Sequence, residues 1–235
     1  QRRYETAHGG RDPGAVYKGR QEKDDALKLT LAVGEILSNR GLDVQYTRTT
    51  DVYETPYQKA MKANEAGVDY FVSIHRNSFP TDNAVSGVES LVYDLSGVKY
   101  EMAEDINDQL ETIGFRNLGV KARPNLVVLK RTKMPAVLVE AGFINSDTDN
   151  QLFDDNFDAI AEAIAEGILD TLLQNPTSSQ NPGSFPDVMP QIPSEESEQE
   201  AYHIQVGAFR NPEYAERLKN ELLNEGFPAF VNQIG

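Results

Sequence analysis

Tyr70-Phe71-Val72-Ser73-Ile74-His75 is apolar enough to read as a central strand, and its last residue is an imidazole. Helical and strand patterns alternate on both sides of it. Upstream, Glu22 to Arg40 carries Leu29, Val33, Ile36 and Leu37 on one helical stripe closed by Gly41, and Val44 to Thr47 reads as a strand. A second helix through Ala60, Ala63 and Ala66 ends at Gly67, just before the central strand. Downstream come a strand at Val88 to Tyr93, a helix over Tyr100 to Ile113, and short β runs at Leu126 to Leu129 and Ala136 to Val139. Phe157, Ile160, Ile164, Ile168 and Leu172 form the stripe of a last helix expected to cover one sheet face. This alternation predicts a three-layer α/β/α domain with an open sheet over residues 1–173.

From Gln174 to Glu200 the composition changes. Pro176, Pro182, Pro186, Pro190 and Pro193 stand among Ser, Asn and Gln, and Asp187, Glu195, Glu196, Glu198 and Glu200 have no basic residue between them, so 174–200 reads as an extended acidic linker. Beyond it, 201–235 reads β-α-β: alternation at Tyr202 to Phe209, a helix with Tyr214, Leu218 and Leu222 on one face, and a strand starting at Phe230-Val231.

A formal charge of -15 disfavours a nucleic-acid partner, because a phosphate backbone needs a Lys/Arg surface. No apolar run approaches the roughly 20 residues of a membrane span. Without cysteine, any metal must be held by histidine and carboxylate. Gln1 stands in the place of Met with no basic-then-apolar leader behind it, the pattern of a processed or excised chain.

Two of the three histidines end apparent strands: His8, in Ala7-His8-Gly9-Gly10, and His75. Ligands of open α/β sheets gather beyond the carboxyl ends of strands, although either histidine alone reads more readily as a surface residue. Glu22 opens the first helix, where an acid also suits the helix dipole. Glu140 differs, because it ends the apolar run Ala136-Val137-Leu138-Val139 and a carboxylate at such a tip needs a partner or a task.

Taken in order, His8-Gly9-Gly10 with Asp12-Pro13-Gly14-Ala15, Glu22-Lys23-Asp24, Ser73-Ile74-His75-x-Asn77 and Met134 to Phe143 resemble the zinc-dependent N-acetylmuramoyl-L-alanine amidases over residues 7–173. The resemblance implies that His8, Glu22 and His75 bind Zn2+ and that Glu140 is the catalytic glutamate. It further implies hydrolysis of the amide joining N-acetylmuramic acid to L-alanine in peptidoglycan, by a monomeric enzyme that is extracellular or cell-wall associated. Asn77 and Arg76 are candidates for substrate binding; Arg76 stands where the family commonly has a small residue, and it either pairs with a substrate carboxylate or points to solvent, with solvent preferred. The family's aliphatic first strand is replaced by Arg3-Tyr4-Glu5-Thr6-Ala7, which predicts a shortened or altered strand. Tyr202 to Phe209, with the following helix and Gly226-Phe227-x-Ala229, resembles the first half of a sporulation-related repeat (SPOR) domain, which implies binding to glycan strands stripped of stem peptides; His203 stays outside the site. Other zinc peptidases of the wall, and a wall-binding protein without activity, are the competing readings.

Overall fold

The computed structural model describes residues 2–175 and Lys219, with side chains described from residue 7 onward, so the expected linker and terminal β-α-β unit lie outside the described residues. Residues 1–175 form one compact unit. Its elements in chain order are β1 (Arg2–Thr6), β2 (Val16–Tyr17), β3 (Arg20–Gln21), α1 (Glu22–Asn39), β4 (Val44–Tyr46), α2 (Pro56–Ala66), β5 (Tyr70–Asn77), β6 (Val88–Val92), α3 (Gly97–Thr112), β7 (Asn117–Ala122), α4 (Val127–Arg131), β8 (Ala136–Phe143), α5 (Asp147–Asp155) and α6 (Phe157–Gln174). The six-stranded sheet has the order β4-β1-β5-β8-β6-β7, and β2 and β3 pair in a separate small ribbon. Every neighbouring pair in the large sheet is parallel except β6 with β8.

The alternation of side chains along each strand separates two apolar layers. Val72 and Ile74 of β5 and Val137 and Val139 of β8 pack with Leu29, Val33 and Leu37 of α1 and with residues of α3 and α6. Phe71 and Leu138, one position out of phase, pack on the opposite face with Ala63 of α2 and with Val128 and Leu129 of α4. The three-layer architecture expected from the sequence is therefore present. Leu29, Val33 and Leu37 are fully buried at four-residue spacing, and such burial contributes roughly 1.5–3 kcal/mol per side chain. Helix α2 starts with a reciprocal capping box: the Gln58 backbone N–H donates to Thr55 Oγ1 at 3.2 Å, and the Thr55 N–H donates to Gln58 Oε1 at 2.9 Å.

Besides the small β2–β3 ribbon, which the sequence reading did not anticipate, three elements depart from it. Leu126 to Leu129 is not a strand; Val127–Arg131 is a single helical turn that packs on α2 and β8. Four apolar residues are too few for periodicity to separate strand from helix, and what decides is that Val128 and Leu129 both reach the apolar layer beneath α2. Strand β7 was not anticipated, because Gly119 interrupts it at φ 80° and its register with β6 shifts between Val88 and Ser90. Helix α5 was also missed; Ser146 caps it by accepting from the Asp149 N–H at 3.2 Å. The first strand is in place, pairing with β4 and β5 at once despite its unusual composition.

Helices α3 and α6 lie close together at Gly167, where an added Cβ would lie 2.5 Å from Ile106 Cα and 2.6 Å from its N. Those are backbone atoms and cannot swing aside. Gly167→Ala is thus expected to destabilise the domain by about 1–3 kcal/mol even though alanine is the better helix former. Urea unfolding checks this, and a stabilised variant would show that the two helices can separate freely.

Candidate active site

The sheet brings His75 and Glu140 side by side. Residues 71–75 of β5 run in register with 136–140 of β8, so His75 and Glu140 are direct cross-strand partners on the α2/α4 face. Glu22 reaches the same place from the first turn of α1, and His8 follows β1, with its backbone in the left-handed region at φ 53°. For a residue with a side chain, that conformation is uncommon and marks a position held by its surroundings.

The buried Glu22 carboxylate lies between the two imidazoles. Its Oε1 is 2.9 Å from His75 Nδ1 and its Oε2 is 3.1 Å from His8 Nε2. His8 Nδ1 is 2.8 Å from Asp12 Oδ2, a contact that places the Nδ1 proton on the Asp12 side and turns Nε2 toward the centre. Burial pushes the Glu22 carboxyl up, but the hydrogen bonds from His75 and His8 outweigh it and hold the group well below the usual carboxylate range. Burial depresses the His8 imidazole, and Glu22 and Asp12 together reverse that and raise it to about 9. Gly14, at φ 67°, completes the wall: a Cβ there would lie 2.5 Å from Glu22 Oε2 and 2.6 Å from His8 Cδ2.

One nitrogen or carboxylate oxygen from each of His8, Glu22 and His75 lies within 4.8 Å of the others. Two imidazole nitrogens and one carboxylate oxygen form a donor set that suits zinc, and His8 already has the carboxylate partner that metal-bound histidines usually keep. Glu140 stands beside this cluster with its Oε2 buried and without a hydrogen-bond partner among the described residues. Burial pushes its carboxyl up to about 7. An orphaned carboxylate oxygen in a polar site is expensive unless something else occupies that space during function. The residues present thus fit a bound zinc ion.

Arg76 neither points to solvent nor faces this cluster. Next to His75 on a strand, it must project to the other side of the sheet, and it is 2% exposed there. Its Nη1 donates to Asp25 Oδ2 at 2.6 Å and its Nη2 to Asn150 Oδ1 at 2.8 Å, and the guanidinium lies over the Phe153 ring at 4.2 Å. The Arg76 backbone N–H also donates to Glu22 Oε1 at 3.3 Å, so the residue ties β5 to α1 and α5 directly behind two members of the cluster. Asp25→Ala would leave the buried guanidinium without its main counter-charge, and we expect a loss of about 3–5 kcal/mol by urea denaturation. A cost below about 1 kcal/mol would mean that Asn150 and Phe153 suffice.

Asn77 stays on the cluster's face but points along the sheet, donating from Nδ2 to Glu89 Oε1 at 2.9 Å. Glu89 is the register partner of Glu140 on β6 and also pairs with Lys121 of β7. Glu89 and Asp25 were not singled out in the sequence, and Asp12 stood there only inside the motif that follows His8, without a role. Glu89 carries the same signal as Glu140, an acid inside an apolar strand; Asp25 carries none, because first-turn acids are ordinary.

Comparison with known proteins gives a consistent result. The family model for N-acetylmuramoyl-L-alanine amidase matches residues 5–170, and that for the SPOR domain matches residues 198–235. A sporulation-specific N-acetylmuramoyl-L-alanine amidase of Bacillus subtilis is 32% identical over 233 residues, covering 97% of this chain and 82% of the relative. An endolysin of the Bacillus phage SPP1 is 37% identical over 159 residues, or 65% of this chain and 58% of the endolysin. Among solved structures, an N-acetylmuramoyl-L-alanine amidase from Clostridium difficile matches with TM-score 0.68 and 30% identity, covering 74% of this chain and 97% of that one.

Proposed function

Because the chain belongs to the N-acetylmuramoyl-L-alanine amidase family, we propose that it performs the family's hydrolysis with zinc held by His8, Glu22 and His75 and with Glu140 as the proton-transferring group. The chain is a peptidoglycan amidase, cutting between N-acetylmuramic acid and the L-alanine of the stem peptide, and it carries a glycan-binding SPOR segment. The observation that carries the zinc reading is the convergence of three donor atoms beside a buried carboxylate oxygen that has no hydrogen-bond partner among the described residues.

A bound zinc ion supplies a Lewis acid for the amide carbonyl and makes a coordinated water more acidic. The protein does the rest. Asp12 fixes the His8 ring, and Arg76 behind the sheet fixes the strand that bears His75. Glu140, on β8 beside His75, accepts the proton that water loses as its oxygen bonds to the carbonyl carbon. As the carbon–nitrogen bond breaks, the same carboxyl returns that proton to the departing nitrogen, leaving a free carboxylate on the lactyl group and an amine on L-alanine. The sheltered position of Glu140 supports the role, since a group that must take up and release one proton works best where bulk water does not level it. Asn77 serves as a substrate-facing donor at the rim in this reading. All four central residues come from one chain, which supports a monomer, and the wall substrate supports a secreted or wall-associated enzyme.

Mass spectrometry of digested peptidoglycan tests this. Intact stem peptides with a free L-alanine amino end should appear, vanish with a chelator and return with zinc. Release of terminal D-amino acids instead would point to a carboxypeptidase, and digestion unaffected by chelation would overturn the metal assignment.

A further inference from the structure

The charge of this acidic chain is unevenly distributed. Between Thr112 and Val139 there is no Asp or Glu, while Arg116, Lys121, Arg123, Lys130, Arg131 and Lys133 all fall in that window. Lys121 lies on the edge strand β7, Arg116 and Arg123 flank that strand at its two ends, and Lys130, Arg131 and Lys133 lie on α4 and the lead into β8. Lys121 answers Glu89, and Lys99 nearby answers Asp94 at 2.8 Å. Arg116, Arg123, Lys130, Arg131 and Lys133 are exposed and have no ion pair among the described residues. Their presentation is built: Asn64 of α2 donates from Nδ2 to the Arg131 carbonyl at 2.8 Å and accepts from the Lys133 N–H at 2.8 Å, clamping the turn between them. Lys99, Lys130 and Lys133 also line a cavity of about 430 Å³.

Lys121 joins this set to the site, because His75, Glu140, Glu89 and Lys121 stand on adjacent strands β5, β8, β6 and β7, linked by register and by the Glu89–Lys121 pair. Arg123, Lys130, Arg131 and Lys133 lie toward the other end of these strands: Lys133 stands just before the start of β8 at Ala136, with Glu140 further along it, and the Arg123 N–H donates to the carbonyl of Val92, the β6 partner of Val137. A chain of net charge -15 is repelled by an anionic polymer unless it meets it with a cationic face. We propose that the basic surface carrying Arg123, Lys130, Arg131 and Lys133 is a docking surface for the free carboxylates of stem peptides neighbouring the one being cut, and that it orients the amidase on its insoluble substrate. The inference rests on the amidase reading and extends it from the bond cut to how the wall is engaged.

The test is sedimentation of the full chain with purified peptidoglycan, stripped of phosphate polymers, on ice and before turnover. The triple variant Lys130→Gln, Arg131→Gln, Lys133→Gln should bind about tenfold more weakly at low salt, and the difference should close by roughly 0.5 M salt as screening shortens. Methyl esterification of the peptidoglycan carboxylates should bring the wild type down to the variant's level. Equal binding by both proteins, or wild-type binding indifferent to esterification, would overturn the proposal, as would binding that appears only when phosphate polymers are left on the wall. If the triple variant proves unfolded by thermal melting, Lys130→Gln alone should show a smaller loss in the same direction. Failure of the amidase reading would appear separately, as no stem-peptide release by the wild type.

Discussion

His75→Ala is expected to lose zinc and hydrolysis together while keeping its fold. With three donors gathered around one point, removal of one nitrogen leaves a two-donor site whose affinity and geometry both fail. Loss of even a supporting hydrogen-bond partner of a metal ligand typically costs about 10- to 100-fold in affinity, so loss of the ligand itself should bring metal content to background and stem-peptide release below detection. The fold should persist because His75 sits near the end of β5 and belongs to neither apolar layer. Elemental analysis of the dialysed protein, paired with thermal melting of the metal-free forms, reads the two effects separately. Stoichiometric zinc and normal release in His75→Ala would remove the assigned site. Glu22→Ala, which takes away the carboxylate shared by both imidazoles, should behave in the same way.

Glu140→Gln should separate chemistry from metal binding. The amide keeps the shape and burial of the side chain but cannot accept the proton of the attacking water, and removal of a general base costs on the order of 100- to 10,000-fold in rate. Zinc content should stay at the wild-type level, because Glu140 lies outside the group of three donors. Stability should not fall and can rise slightly, since the variant no longer confines a carboxylate that burial disfavours in its charged form. A folded variant that has lost its zinc would make Glu140 a ligand and leave Glu22 without its role. A variant with near-normal turnover would move the proton transfer elsewhere, with Glu89 as the next group in the row.

Much of this was legible in the residues. The apolar runs before His75 and Glu140 identify themselves as buried strands, and a polar residue in such a run is informative because burial makes it costly; the structure carries the strands beyond both residues, β5 to Asn77 and β8 to Phe143. The helical stripe of Leu29, Val33 and Leu37 is equally explicit. The turn at α4 and the interrupted β7 were not, because a four-residue apolar run has no resolvable period and a strand with a glycine at its centre has no alternation to follow.

Arg76 marks the boundary between the two kinds of knowledge. By itself the sequence determined the layered α/β class, the ordered motifs that hold His8, Glu22, His75 and Glu140, and the excess of acid that sets nucleic acid aside, since each is a property of local pattern or summed composition. The tertiary structure alone decided which face each side chain takes and who meets it there. It placed His75 against Glu140 through strand register and put Glu22 between two imidazoles. It also sent Arg76 through the sheet to Asp25 and Phe153, and left five exposed cations without an ion pair among the described residues of an acidic protein. The physical reason is that pairing depends on register and on packing between elements remote in the chain: Asp25 and Arg76 are 51 residues apart, and nothing near either one in sequence records the other.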